Sequence, residues 1–316
     1  MVRAPDSAPL PDRPFTQEFS MLSLHTNIAS MRIQGALGRT QQDLTTSMTR
    51  LGTGYRINSA SDDAAGLQIA TRLKSQHLGM GVAAQNTQNA TSMLQTAEGA
   101  FKEVENILHR MNALATQAAD SAWTQADRDS LQKEYDALGT ELKNIVDNTS
   151  YGGEKLFAAG ASGAPGGKLT EKLTFQVGNT SGEVMELDVS TALAAAVKAF
   201  EGASQVFGGG ASGASGNTDI TSISGANALL DNLSTALSAV GSLRAEIGAG
   251  QNRLTHIANN LTNMRDNTQD AEGRIRDVDY ASETANMTKL NILQQAGGSM
   301  LKQASQMSQL VLSLLQ

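Results

Sequence analysis

Apolar residues in this chain return at intervals of three and four, in runs long enough to predict extended helices that pair along one face. Leu37, Leu44 and Leu51 recur every seven residues with Met48 between them. The pattern stops at "RLGTGYRINSASDD" (50–63), where Gly52 and Gly54 interrupt the backbone and the polar run favours turns. A helix restarts near Asp62. Ser59 and Asp62 fit a capping box, and Asp62 and Asp63 place negative charge at a helix N-terminus. Leu94, Ala97, Phe101, Val104, Leu108, Met111, Ala115 and Ala118 then hold the helical spacing without a gap. After a break near "DSAWTQ", Leu131, Tyr135, Leu138, Leu142 and Ile145 repeat it.

The middle of the chain reads differently. "NTSYGGEKLFAAGASGAPGG" is a Gly/Ser/Ala-rich exit from the helices, and "KLTFQVGNTSGEVMELDVS" alternates apolar and polar around Gly178 to Gly182, the pattern of a β-hairpin. "FGGGASGASGN" reads as a flexible linker. From about Ser222 a second helical territory begins. Leu233, Val240, Ile247, Leu254 and Leu261 keep a strict spacing of seven, flanked by Leu230, Leu237, Ile257 and Met264. "NTQDAEGRIRDVDYASET" interrupts it, and Leu293, Gly297, Met300, Ala304, Met307, Val311 and Leu314 resume it. The order is nearly mirror-symmetric, so the first helix is expected to pair with the last. The predicted fold is mainly α: a long antiparallel helical coiled-coil or bundle rod with a small β-hairpin element and paired N- and C-terminal helices.

Composition narrows the function. Aromatics are 4% of the chain, and the side chains that dominate are small or amide-bearing, which disfavours a large aromatic-lined ligand pocket. Net charge is −7, with the basic residues scattered, so neither nucleic acid nor an anionic membrane is the expected partner. No run approaches the ~18 apolar residues that insertion in a membrane needs. Cysteine is absent, which removes disulfides, thiolate nucleophiles and sulfur metal sites and suits a chain exported unfolded. Residues 1–20 carry four of the five prolines and no apolar signal core, and read as a disordered extension or a misassigned start, with Met21 the more natural beginning.

Catalytic constellations do not assemble. His25, His77, His109 and His256 are dispersed with no H-E-x-x-H, and "LGTG" and "IGAG" complete no phosphate-binding loop. There is no G-x-S-x-G elbow. Trp123 reads as a helix-corner packing residue, and Asp62 with Asp63 as helix-start charges rather than an acid–base pair. No catalytic residue, metal or cofactor is expected.

The ends carry the functional signal. From Ile275 to Gln316 the backbone entropy of ordering exceeds what the few large apolar side chains return, and a two-helix pair leaves half its surface wet. The terminal stripes therefore call for neighbouring copies. A head-to-tail contact that does not close builds a helical filament.

At this point the residues resemble a known family. "RLGTGYRINSASDDAAGLQIATRLKSQ" (50–76) resembles the N-terminal signature of bacterial flagellin, in a lateral-flagellin style. "LQTAEGAFKEVENILHRMNALATQAAD" (94–120), "LTFQVGNTSGE" (173–183), "IGAGQNRLTHIANNL" and "RIRDVDYASETANMTKLNILQQAGGSMLKQASQ" agree with it in order. The resemblance implies a non-enzymatic, short flagellin that self-assembles into the motility propeller. It implies inner-tube helices and spoke in 21–65 plus 276–316, an outer helical core in 66–190 plus 218–275, and a short variable segment in 191–217. Polymerisation in the tube would rest on Leu37, Leu44, Met48 and Leu51 against Leu293, Met300, Met307, Val311 and Leu314, and the spoke and helix cap on Arg56, Asn58, Ser59, Asp62 and Asp63. Implied partners are copies of the same chain, an export chaperone on the C-terminal helix, the filament cap and the hook–filament junction proteins, with type III export to an extracellular flagellum.

By motif position Arg110, Leu114 and Glu134 match the contacts that a host Toll-like receptor makes with some relatives. Asn112 and Ala113 replace the family's commoner Arg and Glu there, and Ser308 stands where many members carry Pro. The alternative within the flagellum is a hook–filament junction protein. Outside the structural class stand a flagellin-embedded protease, opposed by the missing H-E-x-x-H and the small middle segment, and a cytosolic coiled-coil adaptor.

Overall fold

The computed structural model describes residues 27–157, 166–204, 207 and 219–314, with side chains described through Gln306. Residues 1–20, Met21 and His25 lie outside the described residues, as do 208–217 and the side chains of Met307, Val311 and Leu314. In chain order the elements are α1 (Ile28–Thr53), α2 (Ala64–Ala118), α3 (Gln125–Asn148), β1 (Ser150–Tyr151), β2 (Glu154–Lys155), a 3-10 turn (Lys168–Thr170), β3 (Leu173–Gln176), β4 (Val184–Leu187), α4 (Ser190–Ala203), α5 (Ile223–Arg276) and α6 (Tyr280–Leu314). The fold is mainly α with two small antiparallel hairpins, β1–β2 and β3–β4. Two units divide it: Gln68–Arg274, and the residues up to Leu67 together with those from Ile275 onward.

The Gln68–Arg274 unit owns the apolar core. Phe101, Val104, Leu108 and Met111 of α2 and Leu233, Val240, Ile247 and Leu254 of α5 are all buried, because both helices repeat apolar residues close to every 3.5 positions. Tyr135, Leu142 and Val146 bring α3 onto the same core. Arg244 of α5 ties the pair from its rim, donating to Glu98 at 2.9 and 2.6 Å and pairing with Glu105. At the α2–α3 corner Thr124 and Asp127 form a capping box, and the Thr124 hydroxyl, then its backbone N–H, hold the Asp127 carboxyl below the usual carboxylate range. Arg128 is buried there and donates to the carbonyls of Ala118, Asp120 and Trp123 at 3.1, 3.2 and 2.9 Å. The Ala118 carbonyl is an acceptor that the end of α2 leaves unpaired, and the other two belong to the loop that Arg128 holds in place. Trp123 sits at this corner with its ring partly exposed.

The β3–β4 hairpin falls where the alternation placed it, pairing Leu173 with Leu187 and Phe175 with Met185. Two features differ from the sequence expectation. The exit from α3 contains a second hairpin, β1–β2, turned by Gly152 and Gly153 at φ 62 and 87°, after which Leu156 and Phe157 are buried. Phe157 meets Phe101 with ring centroids 4.5 Å apart. The stretch expected as a variable segment and linker begins instead as a helix: in α4, Leu193, Ala196, Phe200 and Ala203 follow helical spacing and are buried. The Tyr135 hydroxyl donates to the Ala203 carbonyl at 2.5 Å, and burial, with Asp136 beside it, pushes that phenol's pKa well up.

The other unit is an antiparallel pair of helices, α1 and α6, with a short crossing at their base. The Asn27 side chain caps α1 by accepting from Ser30 N–H at 3.0 Å. At the far end Gly54 turns left-handed (φ 76°) and its N–H closes on Arg50 O, the termination that a residue without Cβ favours. Residues 54–57 then run against 275–278. Arg56 N–H donates to Arg276 O, Val278 N–H donates to Gly54 O, the Arg56 guanidinium reaches Ile275 O at 2.6 Å, and Arg276 stacks 4.0 Å over the Tyr55 ring. Ile57 is buried beside this crossing.

Candidate assembly surface

The side chains that join α1 to α6 form a narrow seam. On α1 the inward row is Ser30, Ile33, Leu37, Thr40, Leu44, Ser47 and Leu51, and on α6 it is Met287, Leu290, Gln294, Gly297, Leu301 and Ala304. Only Leu44, Ser47 and Leu290 of these are fully buried. Five of these thirteen are hydroxyl, amide or glycine and most of the rest are only partly buried, so the apolar return is small for two helices of this length. Polar groups mark it at intervals. Asn27 donates to Ala304 O at 2.9 Å, Gln294 to the Gln41 side chain, and the Ser47 hydroxyl to Glu283 O at 3.5 Å.

Of the residues expected to pair in the tube, Leu37, Leu44 and Leu51 lie in this seam. Met48, Leu293 and Met300 do not: they are 48%, 47% and 56% exposed. Leu293 and Met300, seven residues apart, fall on one flank of α6, about a quarter turn from the seam row, while Ile292, 61% exposed, points to another side. Ile28 and Met31 on α1 are also exposed. Thr288, Gln295, Ser299 and Lys302 make the opposite flank of α6 polar, so the helix has two apolar rows and its own chain uses one.

The turn that follows the crossing is built by Asn58, Ser59 and Asp62. The Asp62 carboxylate accepts from Asn58 N–H, Ser59 N–H and the Ser59 hydroxyl at 3.0, 2.8 and 3.0 Å. Those bonds, the Ser59 backbone foremost, hold its carboxyl below the usual range. The pair expected as a capping box thus closes a turn. The helix begins later, with Asp63 as its cap, accepting from Gly66 N–H at 2.8 Å. Arg56 lies one step before, in the crossing already described.

In the other unit the three residues matched to receptor contact separate by depth. Arg110 of α2 donates to Glu134 of α3 at 2.8 and 2.5 Å, and both side chains are about half exposed. Leu114 is buried at 1% exposure and belongs to the core beneath them.

A unit with a finished core, joined in sequence to a helix pair that leaves apolar rows in water, defines a class: a subunit that completes itself by association. Comparison with known proteins agrees in detail. The family descriptions "Bacterial flagellin N-terminal helical region" and "Bacterial flagellin C-terminal helical region" match residues 24–162 and 230–315. Flagellin A of Vibrio anguillarum is 35% identical, over 93% of this chain and 100% of its own length. Polar flagellin F of Vibrio parahaemolyticus is 34% identical, over 93% and 99%. The crystal structure of Bacillus cereus flagellin is 30% identical over 56% of this chain and 88% of that one, with a TM-score of 0.44. The chain belongs to the bacterial flagellin family. The alignment with the Vibrio anguillarum protein runs to 379 positions, longer than the present chain, so that relative carries insertions which this chain lacks.

Proposed function

We infer that this chain is the structural subunit of a flagellar filament, and that its copies polymerise by covering one another's terminal helices. The observation that carries the reading is the second apolar row of α6. Leu293 and Met300, seven residues apart and so on one line of the helix, face water in the isolated chain. Burial of such a row between copies supplies what the thin α1–α6 seam lacks, and a head-to-tail arrangement of these contacts extends without closing. The subunit acts as material, with no catalytic step.

Three finer statements belong to the same reading. Export runs through the flagellar type III pathway to the cell exterior, supported by family membership and by a chain free of cysteine. Before assembly the C-terminal helix is held by an export chaperone, which shields the α6 flank that later enters the filament, and addition occurs beneath the cap on a base of hook–filament junction proteins. Contact with a host Toll-like receptor falls on the α2–α3 face at Arg110 and Glu134, with Leu114 supporting them from below. The mutual ion pair of those two residues must open to engage a partner, which weakens the contact.

The test is truncation. Deleting residues 293–316 leaves a soluble chain whose Gln68–Arg274 unit melts as in the full protein, and which forms no filaments at high salt under the electron microscope. Normal filaments from the truncated chain overturn the reading.

A further inference from the structure

The α1–α6 seam has a register problem that its apolar residues do not solve. Leu37, Leu44 and Leu51 are chemically identical and seven apart, so sliding α6 by one heptad, about 10 Å, returns leucine to leucine's place. We propose that Arg50 and Glu283 are the pin that fixes the register of this seam, and through it the geometry in which copies meet; the second clause rests on the filament reading above.

Among the described residues theirs is the one ion pair between α1 and α6, Arg50 Nη1 to Glu283 Oε2 at 3.9 Å. It is a poor stabiliser. The distance is too long for a good hydrogen bond, and Arg50 Nε and Glu283 Oε1 are buried with no hydrogen-bond partner in the chain. It discriminates well, because the neighbours in a slipped seam are wrong. A slide one way sets Glu283 against Asp43, two carboxylates together, and a slide the other way sets Arg50 against Leu290. Ser47, bonded to the Glu283 carbonyl, and Gln41, bonded to Gln294, read the same register. Gly297 adds shape. A Cβ there would stand 3.1 Å from Leu37 Cδ1, so Leu37 seats on the one seam position of α6 without a side chain. A weak polar pair retained beside a leucine repeat, at a cost in stability, is how paired helices specify alignment.

Since the chain has no cysteine, introduced pairs report the register without background. Ser30→Cys with Ala304→Cys reads the register described here. Ser30→Cys with Gly297→Cys, and Leu37→Cys with Ala304→Cys, read the two slips. Each full-length variant is oxidised as free chain and as sedimented polymer, and intrachain disulfides are counted by peptide mass, each pair compared only with itself across backgrounds. With Arg50 and Glu283 present, the first pair closes as readily as in any background and the slipped pairs stay at their lowest yield. Arg50→Met with Glu283→Leu keeps the helices paired and raises the slipped disulfides by about tenfold. The exchange Arg50→Glu with Glu283→Arg restores the original preference, and Arg50→Glu alone does not. An apolar double variant that still closes only the first pair overturns the pin, as does an exchange that fails to restore it. Absence of polymer from the unaltered chain counts against the filament reading alone, because the free-chain disulfides decide the register by themselves.

Discussion

Replacing Leu293 and Met300 together by Ser tests the unused row of α6 at the two positions where the numbers are clearest. In the isolated chain these side chains are 47% and 56% exposed, so about half of each remains to be buried when a neighbour arrives. Complete burial of such side chains is worth about 1.5–3 kcal/mol each, which leaves roughly 1 kcal/mol apiece for assembly, or about 2 kcal/mol for the pair. Each subunit added to a growing end loses that amount, and the critical concentration for polymerisation rises by about 30-fold. Serine also lowers helix propensity slightly, and Gln295→Ser with Lys302→Ser on the polar flank of α6 carries about the same backbone cost without the burial term. Seeded polymerisation, with unpolymerised protein measured after sedimentation, gives the critical concentration of all three chains. The expected order is the unaltered chain equal to the polar-flank variant within about twofold, and the Leu293 and Met300 double variant far above both. Thermal unfolding of the Gln68–Arg274 unit stays unchanged in every case. A Leu293 and Met300 double variant whose critical concentration lies within about threefold of the polar-flank variant refutes the assignment of this flank to contacts between copies.

Three further outcomes follow from local chemistry. Tyr135→Phe removes the 2.5 Å bond to the Ala203 carbonyl and leaves that acceptor buried and unpaired, costing about 1–2 kcal/mol; calorimetry shows a lower melting temperature for the core, and an unchanged one refutes the bond. Asp127 has a depressed carboxyl, so its contribution is complete above the unfolded carboxylate pKa of about 3.9 and disappears as pH falls through the lower folded value; Asp127→Asn therefore flattens the acid limb of a stability–pH profile, and a limb of equal slope in both chains contradicts the cap. Gly54→Ala forces a side chain into a left-handed backbone and toward the Tyr280 hydroxyl, 2.9 Å from the new Cβ; hydrogen exchange in polymer speeds at residues 54–57, where the crossing forms, and equal protection disproves the strain.

What the sequence disclosed depended on how many signals agreed. In α2 and α5 the heptads and the absence of proline outweigh the scattered glycines, and those helices are where the spacing put them, except that α5 runs on to Arg276 through the first half of the polar stretch read as an interruption. The β3–β4 hairpin was legible for the same reason, alternation around a turn. The β1–β2 hairpin was not, since strands of two residues have no period to detect, and only the Gly152–Gly153 turn announces them. The helix α4 was hidden by its neighbours: its Leu193–Ala196–Phe200–Ala203 spacing is regular, but mostly small side chains and the glycine run from Gly208 made the whole stretch read as linker. The rows of α6 are more instructive. Met287, Leu290 and Leu301 form one helical row, Leu293 and Met300 another, and periodicity measures the regularity of a row without naming what covers it. The choice was made by α1, whose own inward row includes Ser47 and Thr40 and so accepts the Gly- and Gln-bearing side of α6.

That choice separates two stabilities that most proteins keep together. The core between α2, α3, α4 and α5 is closed by Phe101, Tyr135, Phe200 and a continuous set of leucines, all buried within one chain. The α1–α6 seam is built from Ser, Thr, Gln, Gly and a few leucines, and few of its side chains are fully buried within one chain. Substitutions in the first set therefore move the melting of the free subunit and leave the critical concentration nearly fixed, whereas substitutions on the α6 flank do the reverse. A tighter seam, with leucine at Thr40 or Ser47, would order the terminal helices in the free chain and remove the entropy that assembly now has to overcome. It would also strengthen a leucine repeat that already permits sliding, so the polar, weak seam is consistent with selection for alignment between copies over stability of the single chain.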